Sequence, residues 1–90
     1  MLSERRAQIL DLVAESYINS AHPVPSSFIA EKLAVSSATV RNEFSSLEEA
    51  GYLQQPHTSS GRIPTALGFR TYTRSLLPPE NPHPRQLRLI

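Results

Sequence analysis

Ninety residues with a hydrophobic fraction of 39% make one small domain, which buries roughly 60% of its unfolded surface and has no room for a catalytic cleft between lobes. The sequence has no cysteine, which excludes disulfides and thiolate metal sites and agrees with a reducing cytoplasm. The net charge is only +1, but residues 1–49 carry a balance of −3 and residues 50–90 a balance of +4, as expected if one end meets an anionic partner.

The opening MLSERRAQIL lacks the apolar region of a signal peptide. No run approaches the ~18 apolar residues of a membrane span, so the expectation is a soluble, cytoplasmic chain. In SERRAQILDLVAESYINS the residues Ile9, Leu10, Val13, Tyr17 and Ile18 recur at helical spacing behind Ser3 as N-cap. Pro23 and Pro25 end that helix and hold Val24 extended between them. SSFIAEKLAV predicts a second, shorter helix capped by Ser26 or Ser27, with Phe28, Ile29 and Leu33 as its apolar positions. A third starts at Ser36 or Ser37 and runs to Gly51, which suits the left-handed position after a helix. Its apolar stripe is Val40, Phe44 and Leu47.

Two short extended runs, YLQQ and GRIPT, flank a proline- and hydroxyl-rich loop. Pro56 and Pro64 confine them to an edge hairpin, since neither can donate to a ladder. Thr65 caps a last helix with Phe69, Tyr72 and Leu76 facing inward, and Pro78–Pro79 stops it. Residues 78–90, PPENPHPRQLRLI, read as a proline-rich tail or linker after a domain at 1–77. The fold class that follows is mainly α with a small β-hairpin: helix, short strand, helix, helix, hairpin, helix.

Few residues separate the second helix from the third, the signature of a helix-turn-helix whose second helix enters the DNA major groove. Stepping about 100° per residue from Val40, Phe44 and Leu47 puts Ala38, Asn42 and Ser45 on the opposite face, flanked by Thr39 and Arg41. An amide able to bond an adenine twice, one guanidinium and short polar groups can read base edges. Ser36, Ser37 and Thr39 add hydroxyls beside free helix-start amides, a place for an anion. Glu43 opposes this and is expected to point sideways, while Glu48 and Glu49 are expected to be solvated.

A hairpin after a helix-turn-helix is a wing. In its loop His57, Thr58, Ser59 and Ser60 precede Gly61 and Arg62. Small hydroxyl residues approach phosphate closely, Gly61 is expected to supply a positive φ, and Arg62 is expected to bond a phosphate or enter the minor groove. Alone, this stretch reads as well as an ordinary polar turn; its position after the helix pair favours the wing. Arg70 and Arg74, one helical turn apart, are candidates for further phosphate contacts or for pairing with acids of the first helix. His22, His57 and His83 lack metal-ligand spacing. No oriented carboxylate accompanies the loop serines, so neither a metal, a cofactor nor an enzyme is expected.

The run SSATVRNEFSSLEEAGYLQQPHTSSGRIPT resembles the N-terminal winged-helix domain of the bacterial heat-inducible transcription repressors (HrcA). Ser36–Asn42, Leu47, Glu48, Gly51–Leu53, Gln55–Ser59 and Gly61–Thr65 carry the resemblance. GFRTYT and the first helix extend it to about residues 3–77, and few families share the P-H-T-S-x-G-R wing. Pro25–Ser26 stands where the family has a Gly-Ser pair, and Phe44 where it has a smaller apolar residue. The resemblance implies a repressor of chaperone genes, binding double-stranded DNA as a homodimer on an inverted repeat. It also implies a larger C-terminal part that dimerises and answers to the chaperonin, where here only the tail follows; the chain reads as a fragment or a short relative. The alternative from another class is a winged helix used as a protein-interaction or dimerisation module.

Overall fold

The computed structural model describes residues 2–56 and 59–77. Four helices and one hairpin follow in the order α1 (Glu4–Ser20), α2 (Ser26–Leu33), α3 (Ser37–Glu49), β1 (Leu53–Gln54), β2 (Ile63–Pro64) and α4 (Ala66–Ser75). This is the winged helix-turn-helix expected from the sequence. The expected tail at 78–90, with the Pro78–Pro79 stop and His83, lies outside the described residues, as do His57 and Thr58.

Local chemistry sets the helix ends. Ser3, Ser36 and Thr65 each accept an amide of the first turn, from Arg6, Thr39 and Gly68, satisfying one of the four donors a helix start leaves free. In α2 the N-cap is Pro25, with no side-chain cap. Ser26 and Ser27, expected as caps, already lie inside the helix, because Pro25 holds the extended φ of −77° required just before it. A left-handed Ala34 (φ 56°) closes α2 and turns the chain into α3. At the far end of α3, Gly51 takes φ +90°. Its amide donates to the Glu48 carbonyl, and the Tyr52 amide to that of Leu47. These two bonds form a Schellman motif, whose left-handed residue favours glycine.

The core joins the first three helices and the first strand: Ile9, Leu10 and Val13 from α1, Ile29 from α2, Val40, Phe44 and Leu47 from α3, and Leu53 from β1, with Val24 from the segment between α1 and α2. In the hairpin Leu53 pairs with Pro64 and Gln54 with Ile63. It is not a free edge throughout: Val24 exchanges both backbone hydrogen bonds with Arg62, at 2.9 and 3.0 Å. The segment between α1 and α2 thereby adds a row beside β2. Thr65 fixes the root of α4 by donating to the Gly51 carbonyl at 2.6 Å.

Three residues expected on inward faces are not buried. Leu76 is 64% exposed, because α4 ends at Ser75 and leaves it past the last turn. Ile18 is exposed because its neighbour Tyr17 takes the contact with α4, its ring 6.2 Å from that of Phe69. Phe28 lies beside the buried Ile29–Ala30 pair of α2, with the Lys32 ammonium 5.5 Å from its ring. Tyr72 is buried and Phe69 half-buried, on the face expected.

Candidate nucleic-acid interface

With Val40, Phe44 and Leu47 buried, α3 turns Ala38, Arg41, Asn42 and Ser45 to solvent and leaves Ser37 and Thr39 half-buried. The polar face expected from the spacing is thus the outer face of the helix. Ser36 is committed locally: its hydroxyl accepts the Thr39 amide at 3.1 Å and lies 2.9 Å from the Thr39 hydroxyl. That cap already occupies one of the helix-start amides expected to be open to an anion. Glu43 points sideways, as its position requires, and meets Arg6 of α1 at 3.0 Å. Arg6 also donates to Ser46 at 3.2 Å, so α1 neutralises the acid that sits among the polar residues of α3.

A groove of about 490 Å³ runs along this helix. Arg41 and Ser45 of α3 form one wall, Gln55 and Ser60 of the wing another, and Pro25, Ser26 and Ser27 at the start of α2 a third; Phe44 and Arg62 complete the lining. Two walls were expected from the sequence. The third was not, because Ser26 and Ser27 read as caps for their own helix; adjacent hydroxyls at a helix start were the available signal.

Arg62 behaves differently from the expectation of an outward phosphate contact. Its side chain is 14% exposed, and its Nε donates to Glu48 of α3 at 3.1 Å. Its Nη1 donates to the Ser60 carbonyl at 2.7 Å, and its guanidinium lies 5.5 Å from the Phe44 ring. Glu48 is accordingly an ion-pair partner rather than a solvated acid. Helix periodicity could not show this, because the partner comes from the wing, fourteen positions on.

Gly61 also departs from expectation. It is buried and has no left-handed φ. A Cβ there would lie 2.9 Å from the Pro23 carbonyl carbon and 3.0 Å from the Val24 nitrogen. Close approach of two backbone segments is what requires glycine. Its amide donates to the Ser59 hydroxyl at 3.0 Å, and the Ser59 carbonyl accepts from the Gln55 side chain at 3.1 Å. Ser60 is exposed. His57 and Thr58, expected at the wing tip, are outside the described residues. Arg70 and Arg74 are exposed on α4, which packs on α1 and β2; neither lines the groove, and neither makes an ion pair among the described residues.

Among the described residues no cluster of three or more His, Asp or Glu could hold a metal ion. No described helix is long and apolar enough to cross a membrane.

Comparisons with known proteins bear on the same elements. A chain of Symbiobacterium thermophilum named heat-inducible transcription repressor HrcA is 49% identical over all of this chain and 27% of its own length. The protein of the same name from Desulforamulus reducens is 54% identical over 84% of this chain and 22% of its own. The chain therefore spans about a quarter of the length of these curated relatives. A crystal structure described only as that of a hypothetical protein superposes with a TM-score of 0.79 at 42% identity, covering 83% of this chain and 25% of that one. The relatives share the name of the family whose wing and α3 motifs this sequence resembles. A model described as HTH domain matches residues 5–54, from the start of α1 through the helix pair to β1. With that pair capped, turned and packed as described, the chain belongs to the helix-turn-helix (HTH) domain family.

Proposed function

We propose that the chain binds double-stranded DNA as the recognition domain of a transcriptional repressor of heat-inducible genes. The observation that carries this reading is the outer face of α3: Ala38, Arg41, Asn42 and Ser45 are exposed together, beside a groove whose opposite wall is the wing. α3 enters the major groove and reads base edges through Asn42 and Arg41. Ser60 of the wing lies along the neighbouring phosphates. Arg70 and Arg74 extend the basic surface for the backbone. One such domain covers one half-site, so two copies act together on an inverted repeat. The protein works in the cytoplasm and catalyses no reaction. Chaperonin control, implied by the resemblance for the larger part of such repressors, is assigned to none of the described residues.

A gel-shift of the chain with an inverted-repeat heat-shock operator, against a scrambled duplex of equal composition, tests the reading. Preference for the operator that falls steeply as salt rises supports it, since neutralising phosphates releases counterions. Equal and weak retention of both duplexes at low salt would favour the alternative, a winged helix used to bind protein.

A further inference from the structure

Arg62 is held from four sides. Glu48 takes its Nε at 3.1 Å and the Ser60 carbonyl its Nη1 at 2.7 Å. The Phe44 ring lies 5.5 Å from the guanidinium, and the residue's backbone is bonded to Val24 in both directions. Phe44 is itself 1% exposed and anchored in the core. A guanidinium that turned outward to a phosphate would give up a charge-assisted hydrogen bond and an aromatic face together. Paired with Glu48, it also presents almost no net charge to a polyanion.

We infer that Arg62 and Glu48 form an internal latch that fixes the wing against α3, so that Arg62 serves DNA recognition by position and not by contact with phosphate. This rests on the DNA reading above. The latch makes the wing root and the outer face of α3 one rigid surface, with Arg41 as the groove's unpaired cation among the described residues. Phe44 gives the latch its floor, its ring 5.5 Å below the Arg62 guanidinium. Glu48 and Arg62 are positioning residues.

The sign of one effect separates the two roles. If Arg62 touched phosphate, removing the acid that competes for it would tighten binding and steepen its salt dependence. If the pair is a latch, removing the acid loosens the wing and weakens binding. The test uses Glu48→Gln, with Glu49→Gln as the control for the loss of one negative charge, because Glu49 is exposed and its side chain makes no ion pair among the described residues. Arg62→Gln and Arg41→Gln complete the set. Each protein is titrated with the inverted-repeat heat-shock duplex and its scrambled counterpart over a range of salt.

The latch predicts that Glu48→Gln and Arg62→Gln each weaken operator binding about fivefold, the equivalent of one partly exposed ion pair, with unchanged salt slope. Glu49→Gln leaves binding equal or slightly tighter, and Arg41→Gln loses about tenfold of the preference for operator over scrambled duplex. Tighter binding by Glu48→Gln than by Glu49→Gln, or a slope flattened by Arg62→Gln, overturns the proposal. Thermal melts without DNA judge the latch separately. Glu48→Gln and Arg62→Gln should each lower Tm, and the variant carrying both should lower it no further than the worse single. Additive losses overturn the latch even where binding changes as expected. A parent chain that binds neither duplex overturns the DNA reading and with it the positioning role, while the melts still decide whether the latch exists.

Discussion

Arg41 and Arg62 line the same groove and carry the same charge, yet the structure spends them differently. Arg41 stands on the open face of α3, exposed, and keeps its guanidinium for a partner from outside. Arg62 is drawn inward to Glu48, the Ser60 carbonyl and the Phe44 ring. A positive residue at a nucleic-acid surface is therefore not by itself a phosphate contact; what decides is whether an acid of the same chain already holds it. Arg6 repeats the lesson on the other flank of α3, where it takes Glu43 and Ser46. Both acids on the flanks of α3 are tied to neighbouring elements, which leaves its outer face without a free carboxylate until Glu49.

The widest break in this comparison comes from Gly61→Ala. It touches neither arginine but drives a Cβ to 2.9 Å from the Pro23 backbone, and so forces the wing root away from Val24. Overpacking of two backbones predicts a loss of about 3 kcal/mol in stability, measured by chemical denaturation. DNA affinity should fall with it while the salt slope stays that of the parent. A parent-like melt for this variant would mean that the root is looser than the geometry states.

Next in size are the two readers. Arg41→Ala and Asn42→Ala are each expected to remove about 1–3 kcal/mol of discrimination between operator and scrambled duplex. Neither should change the melting temperature appreciably, since both side chains are exposed. Competition binding with the two duplexes checks this. If both variants discriminate as well as the parent, the open face of α3 is not where bases are read.

Much of this architecture was legible in the sequence because it is local. Ser3, Ser36 and Thr65 cap helices through bonds spanning three residues, and Gly51 closes α3 within the same turn. The outer face of α3 follows from one periodicity applied over thirteen residues. What could not be read depends on tertiary proximity. The Glu48–Arg62 pair, the Val24–Arg62 bridge and the approach of Gly61 to Pro23 join segments that share no period. Leu76 failed for a related reason: the pattern places it on the inward face, but the helix stops one residue earlier.

A smaller effect sharpens the account of Arg62. Phe44→Leu keeps an apolar side chain in the core and removes the ring beneath the guanidinium. In a double-mutant cycle with Arg62→Gln, the coupling should be about 0.5–1 kcal/mol, the size of a partly desolvated cation–π contact. Zero coupling would reduce Phe44 to a core residue that happens to lie nearby.

The smallest effect lies away from the groove and is felt only as pH changes. Asp11 of α1 has its carboxyl pushed above the usual range mainly by burial; Glu15 adds to that, and the hydrogen bond from Ser75 at 3.2 Å opposes it. In the window between its ordinary and its raised pKa the folded chain holds more protons than the unfolded one. Stability therefore falls as pH rises through that window, and the ionised form carries the residual penalty at neutral pH. Asp11→Asn removes the titration and retains a group that can pair with Ser75. The difference in Tm between variant and parent should grow in the variant's favour from below the carboxylate range to neutrality, then stay flat. DNA binding should not follow it, because Asp11 faces α4 and not the groove. A Tm difference that stays constant across the carboxylate range would show that the Ser75 hydrogen bond offsets the burial in full.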